Sequence, residues 1–464
     1  MSLREQVLKG GVYLALREGF GLIVSLGGVL LLTRLIGPAH YGLYTGSVAI
    51  VVFVGQIGRM GIDVCLIRSQ ESPDASTYHQ AFTLLLLSGV GLALGGILLV
   101  PLLAGRAINP HFVDPLRVLL GTLPLSQMIA PATARLERDL NYRAVAIMDL
   151  MGQIVYYLVA LPLAVLGAGV WAAVAGYWCL QIIVCIYAYT VSRYRPRLVW
   201  SRSRAQALLG YGLGYSGSQW LWQLRSLVNP LIVGRFLGPA GVGYVSLAVR
   251  FAEVLSFFRN VSWRLSIAAL AKVQTDHARL RAALEEAMAL QVLAVGPLLG
   301  AFSLLAHPVI PLLFGARWSP ALRVYPAVAV GALFGALFNI QSSTLYVLRR
   351  NAAVAWFHVA HVVVLAASAW FFVPRFGLMG YGLAEIVAVT TYALLHIQMS
   401  RVFRFSYAQV LPWLAALIPP LGAVLVPLGW RPVLWVPLAL VALLPRQRRQ
   451  IGHYLGYVVR WRTA

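Results

Sequence analysis

Long uninterrupted runs of apolar residues dominate this chain, and no other feature restricts its fold as tightly. Each is about twenty residues long, the length a helix needs to cross a bilayer. In hydrocarbon every backbone N–H and C=O must be satisfied within the protein, so such a run forms a helix. A membrane barrel would instead alternate polar and apolar residues, which these runs do not do. Of 464 residues, 60% are hydrophobic and 11% charged, and mean hydropathy is +0.78. The sequence therefore predicts an all-α membrane protein with about 14 transmembrane helices: six between 11 and 192, six between 208 and 400, and a final pair near 408–429 and 432–445. Five prolines, among them Pro419 and Pro437, interrupt that pair. The opening MSLREQVLK leads straight into a full-length span, which is expected to serve as its own insertion signal.

Two stretches at a constant offset of 201 residues nearly repeat one another. Residues 34–42 read RLIGPAHYG and residues 235–243 read RFLGPAGVG, pairing Arg34 with Arg235, Gly37-Pro38-Ala39 with Gly238-Pro239-Ala240, and Gly42 with Gly243. Each copy lies between two apolar runs and reads as a tight turn, glycine giving backbone freedom and proline preventing helix continuation. A helical hairpin duplicated at half-chain spacing is the pattern of a two-lobed transporter, whose sites lie where the repeats meet. The expected organisation is an N-lobe over 1–200, a C-lobe over 205–402, and a helix pair with a basic tail over 405–464.

A net charge of +23 would suit nucleic acid, but the basic residues sit in short loops between spans. Every second loop is arginine-rich, with Arg135, Arg138 and Arg143 in one and Arg193, Arg195, Arg197, Arg202 and Arg204 in the next, whereas the opposite loops hold about one each. The positive-inside rule places both termini in the cytoplasm. Cys65, Cys179 and Cys185 all fall in spans and read as packed thiols, not a disulfide or metal site. No loop much exceeds about twenty residues, and there is no G-x-S-x-G or Walker motif, so the chain is not expected to be an enzyme or an ATP-driven pump. No cofactor and no nucleic-acid partner is expected.

The opening MSLREQVLKGGVY, the turn TRLIGPAHYGLYT, GAGVWAAVAGY at 167–177 and VIPLLFGARWSPALRVYPAVA at 309–329 resemble the polysaccharide-exporter branch of the multidrug/oligosaccharidyl-lipid/polysaccharide exporter superfamily. The likeness is best over about 1–400 and weaker over the last two spans. It implies two pseudo-symmetric six-helix lobes around a central cavity, plus the C-terminal helix pair. It also implies a Wzx-type flippase of the bacterial inner membrane, moving an undecaprenyl-pyrophosphate-linked oligosaccharide to the outer leaflet for O-antigen or exopolysaccharide assembly. Membrane lipids, a polysaccharide polymerase or ligase, and H⁺ or Na⁺ as coupling ion are the candidate partners.

Such cargo has an anionic, hydroxyl-rich head, and each unpaired polar group costs several kcal/mol in hydrocarbon. A barrier of about 25 kcal/mol allows on the order of one crossing per 10⁶ seconds. A cationic, aromatic-lined cavity removes that barrier, so arginines inside spans are the first candidates. Arg17, Arg59, Arg225, Arg250 and Arg259 each cost roughly 3 kcal/mol at the bilayer centre. Arg59 has Asp63 and Arg250 has Glu253 within a turn, so both can pair locally, while Arg259 lies close enough to the helix end to snorkel. Arg225 has no acid within a turn, and Ser218, Trp222, Arg225 and Asn229 form one stripe of a regular helix. The equivalent stripe of the first span is Arg17, Gly21, Val24 and Gly28, where the glycines leave space in a cavity or mark helix packing. Arg17, Arg225, Trp222, Asn229, Arg59 and Arg250 are thus the substrate-binding candidates. Glu385, alone in its span, with His358 and His361 at i and i+3, are the ion-coupling candidates. A cation or multidrug antiporter of the same superfamily would carry acids in its cavity, whereas here intramembrane arginines predominate. A non-transporting scaffold of a polysaccharide-assembly complex is the third reading.

Overall fold

The computed structural model describes residues 3–69, 74–257, 259, 270 and 276–463, with the side chains of 3–20, 22–23, 213–215, 218–219 and 455–463 outside that description. Among the described residues the chain is helical throughout, with one isolated bridge, Ala104 to Ile108, and no strand. It divides into two compact units, Met1–Gly243 and Tyr244–Ala464.

In the first unit α1 (Leu3–Arg59) and α2 (Ile62–Arg68) are followed by α3 (Ala75–Leu103), α4 (Val113–Leu120), α5 (Leu123–Arg138), α6 (Tyr142–Val165), α7 (Val170–Ser192) and α8 (Arg202–Leu224). Side-chain caps start the helices where the sequence changes from polar to apolar. Asp74 accepts from the Thr77 N–H at 2.7 Å to begin α3, and Asn141 from the Ala144 N–H at 3.2 Å to begin α6. Leu94, Leu98 and Leu102 form an exposed i, i+4, i+8 stripe on α3, the apolar face a bilayer requires. α9 (Gly234–Leu255) crosses from the first unit into the second.

Helix α1 is two arms joined across the first copy of the repeated turn. Gly37 is non-helical with φ 79°, and its counterpart in α9, Gly238, has φ 69°, values that glycine reaches without strain. Nine described helices are long and apolar enough to cross a membrane, two of them being these kinked helices over Val24–Arg59 and Trp220–Leu255. Divided at their turns, and with the interrupted helices added, they are consistent with the fourteen expected spans.

The two turns pack on one another. A Cβ on Gly42 would collide with the carbonyl oxygen of Pro239, and a Cβ on Gly243 with the carbonyl oxygen of Pro38. The contact is reciprocal: the glycine of each copy receives the proline of the other. Further along, the Trp220 indole donates to the Gln56 carbonyl at 3.0 Å, so the hairpins touch beyond the turns. The glycines of the first-span stripe also have an assignment. The ring of Tyr157 fills the space beside Gly28, and Gln153 donates to the Gly21 carbonyl at 3.1 Å. Helix packing against α6 occupies the room that a cavity would have used.

The second unit continues with α10 (His277–Leu313), α11 (Tyr325–Val347), α12 (Asn351–Phe376), α13 (Leu378–Val389), α14 (Tyr392–Ser400), α15 (Leu411–Leu421), α16 (Val436–Leu443) and α17 (Pro445–Thr463). Prolines break the last spans as expected: a 3-10 stretch covers Leu428–Trp435, and the chain bends by 83° at Pro445. The start of α17 is tied back by the Trp413 indole, which donates to Gln450 at 2.9 Å.

Because a backbone oxygen stands where each side chain would begin, Gly42→Val should cost about 1–3 kcal/mol and lower the apparent Tm in detergent by at least about 3 °C. Gly27→Ala, where nothing lies within 4 Å, should leave it unchanged or raised. Equal behaviour of the two variants would show that the turn contact does not hold the hairpins.

Candidate functional site

Within the first unit a cavity of about 530 Å³ opens among α1, α2, α5, α6 and α7. It exists because α1 cannot run on into α2: Met60 and Gly61 adopt φ 49° and 67°, and the chain steps sideways. Its polar lining includes Arg59, Asp63, Glu137, Asp149, Gln153 and Gln181. Gln181 donates to the Tyr177 hydroxyl at 3.0 Å, while Gln153 is held by α1. Arg59 and Asp63 meet at 3.9 Å with side chains 38% and 27% exposed. An ion pair that open to solvent is worth little and does not lock the guanidinium. Among the described lining residues the charged groups are Arg59, Asp63, Glu137 and Asp149. Asp149, on α6, is part of this wall. Its signal was its position one turn before Gln153 on a single helix face.

The hairpin that carries Arg225 is not a regular helix. α8 ends at Leu224, a 3-10 turn covers Arg225–Leu227, and a π-helical turn covers Asn229–Val233. Pro230 lies in that turn and brings no N–H to the ladder. The structure brings Trp222 and Arg225 together, the guanidinium carbon lying 5.9 Å from the ring centroid. Asn229 opens the π-helical turn. Its amide donates to the Val242 carbonyl at 3.2 Å, across the hairpin to α9. The side chains of Arg17 and Ser218 lie outside the described residues, so their part in the paired stripes is not placed.

The other candidates fall in the second unit. Arg250 meets Glu253 at 3.8 Å, with side chains 39% and 54% exposed, as the spacing anticipated. Arg259, expected to snorkel, has neighbours on α11. Its carbonyl accepts from Asn339 at 3.4 Å, and its guanidinium lies 3.3 Å from where a Cβ on Gly335 would stand, halfway along α11.

Glu385 is 1% exposed and accepts from the Tyr381 hydroxyl at 2.8 Å, one turn back on α13. Its other oxygen faces Gly331 of α11, 3.4 Å from where a Cβ would stand. His361 is also buried, and its Nδ1 lies 2.9 Å from the Thr391 hydroxyl, at the break between α13 and α14. His358 packs beside the Phe357 ring at 5.2 Å, and Phe357 also meets His361 at 5.6 Å. A polar set that the sequence reading passed over lies nearby in the same unit: buried Gln341 donates to the Tyr407 hydroxyl at 2.8 Å, and His396 Nδ1 lies 3.0 Å from the same oxygen. A glutamine inside the apolar run of α11 was the available signal. Among the described residues, no group of three His, Cys, Asp or Glu side chains could hold a metal ion.

Known proteins share this chain's sequence and architecture. A family model described as polysaccharide biosynthesis protein matches residues 31–323. The succinoglycan biosynthesis transport protein ExoT of Rhizobium meliloti (strain 1021) is 28% identical over 308 residues, which are 65% of this chain and 61% of that one. The chain thus spans less than two thirds of that relative's length. The lipopolysaccharide biosynthesis protein WzxC of Escherichia coli (strain K12) is 24% identical over 359 residues, 74% of this chain and 70% of that one. Among solved structures, the lipid II flippase MurJ in an inward closed conformation superposes with a TM-score of 0.69 at 14% identity, covering 94% of this chain and 99% of that one. The fold is therefore that of a multi-pass helical transporter, and the chain belongs to the polysaccharide biosynthesis protein family.

Proposed function

We propose that this protein is a flippase that moves a polyprenyl-pyrophosphate-linked oligosaccharide from the inner to the outer leaflet of the bacterial inner membrane, supplying surface polysaccharide assembly. The names of the relatives support the process, one being a succinoglycan transport protein and the other a lipopolysaccharide biosynthesis protein. The observation that carries the reading to residues is the interruption of a membrane hairpin at Arg225–Val233, with a guanidinium beside an indole. Departures from the α-helical ladder inside a membrane free backbone groups and recur at transport sites. Arg225 offers a bidentate fork to pyrophosphate oxygens, and Trp222 a ring face to a sugar. The activity makes and breaks no covalent bond. Both termini lie in the cytoplasm on this reading, supported by the arginine-rich alternate loops. A polymerase or ligase would take up the delivered glycan.

The acid-lined cavity at Asp63, Glu137 and Asp149 favours a second reading, an ion-coupled cation antiporter. Reconstitution separates the two. A lipid-linked glycan carrying a fluorophore should become accessible in the far leaflet of proteoliposomes under the flippase reading. Extrusion of a cationic dye, with no such movement, would support the antiporter.

Charge-assisted bonds of roughly 1.5–3 kcal/mol are at stake at Arg225, so Arg225→Ala should abolish or severely cut glycan movement at matched membrane abundance. Arg225→Lys should restore only part, since lysine keeps charge without the fork. Wild-type transport by Arg225→Ala would remove this residue from the site.

Coupling to H⁺ or Na⁺ is assigned to Glu385, whose carboxylate is buried between α13 and α11 with a tyrosine hydroxyl as donor. Glu385→Gln should slow gradient-driven transport while leaving folding and cargo binding intact, whereas an unchanged response to pH and sodium gradients would reduce it to a structural role.

A further inference from the structure

The first unit carries a second concavity, of about 360 Å³, lined by Tyr78, His79, Arg135, Tyr194, Arg195 and Arg197. It brings together three arginines from two separate elements. Arg135 lies in the last turn of α5, and the other two lie on the segment 193–201 that joins α7 to α8. That segment is strapped over the first turns of α3. The Ser201 N–H donates to Gln80 at 2.6 Å, and the Val199 N–H to the Thr83 hydroxyl at 3.0 Å. Tyr194, 5% exposed, anchors the other end: its hydroxyl lies 3.0 Å from His79 Nδ1, and its ring stacks on His79 at 5.5 Å and on Tyr189 at 5.9 Å. With Tyr194 held inside, Arg195 and Arg197 stay exposed at the rim.

Among the described residues no carboxylate lines this concavity. Asp74, at the start of α3, is engaged by Thr77 and by Arg204 at 3.7 Å, and Asp139 sits exposed just past the end of α5. Arg135, Arg195 and Arg197 form no ion pair among the described residues. Gathering three like charges is unfavourable for folding and suits an anionic ligand.

The same segment shows which kind of anion fits. Leu198 and Trp200, following directly on the arginines, are 71% and 63% exposed. Bare leucine and tryptophan beside guanidinium groups is the pattern of chain lying at headgroup depth, with apolar tips toward acyl chains and cations at the phosphates. We propose that this concavity binds the phosphate headgroup of a lipid in the adjoining leaflet, the guanidinium groups of Arg135, Arg195 and Arg197 taking phosphate oxygens while Leu198 and Trp200 flank the tail. The site stands apart from Arg225 and does not depend on what the protein transports.

Native mass spectrometry of the full chain in detergent tests it, titrating phosphatidylglycerol, phosphatidylcholine, farnesyl diphosphate and inorganic phosphate separately. The variant R135Q/R195Q/R197Q should weaken phosphatidylglycerol binding about tenfold or more, since it removes the three guanidinium groups that take the phosphate oxygens. The variant R349Q/R350Q/R401Q removes equal charge elsewhere and should weaken it less than about twofold. R195Q/R197Q, changing only exposed side chains, should show an intermediate loss with the fold intact. If farnesyl diphosphate shows the same dependence and phosphatidylglycerol does not, the site holds and its occupant is a polyprenyl pyrophosphate. Equal losses in the two triple variants, or inorganic phosphate binding as well as either lipid, would overturn the proposal.

Discussion

Two backbone carbonyls pressed against two glycines organise the first unit. The Pro239 oxygen occupies the place of a side chain on Gly42, and the Pro38 oxygen the place of one on Gly243. Hydrocarbon offers no hydrophobic drive for one apolar helix to leave lipid for another, so close approach must supply the association through dispersion and polar contacts. The bare positions permit that approach. Once the turns are in contact, Trp220 reaches the Gln56 carbonyl and the hairpin that carries Arg225 is fixed against α1. The break in that hairpin therefore happens on a supported helix, and the guanidinium is held where folding has already brought it.

Charge within the same unit is sorted by one helix. Arg135 and Glu137 are two residues apart on α5, which turns them about 200° from each other. Arg135 accordingly lines the basic concavity beneath the 193–201 segment, and Glu137 lines the acidic cavity shared with Asp63 and Asp149. One wall separates two compartments of opposite sign. Neither is evident from net charge, which averages them away.

How much of this was legible in the sequence depends on the range of the interaction. Apolar runs, caps and the repeated turn are local, so the helical class, the turns at Gly37 and Gly238, and the pairs at Arg59–Asp63 and Arg250–Glu253 could be read directly. The stripe through Asn229 assumed one regular α-helix, and its spacing alone did not show the 3-10 turn at Arg225–Leu227 or the π turn that begins at Asn229. Gly21 and Gly28 were ambiguous between space and packing, since a bare position says nothing of what approaches it; Gln153 and Tyr157 supply the answer from α6. The contact of Arg259 with Asn339 on α11 was out of reach for the same reason, the two being eighty residues apart. Long-range partners have no local signature.

The exchanged glycine and proline contacts have the form of a two-fold interface between identical subunits, in which each partner presents the same patch to the other. In a true homodimer every substitution enters such an interface twice, so the two sides cannot diverge. Covalent fusion of the repeats lifts that restriction, because each copy is then encoded separately. Tyr41 and Val242 occupy equivalent places in the two turns, both buried, and they now differ, while the Val242 carbonyl receives the amide of Asn229. The duplicated hairpin has kept its mutual fit at the glycines and acquired different neighbours one residue away.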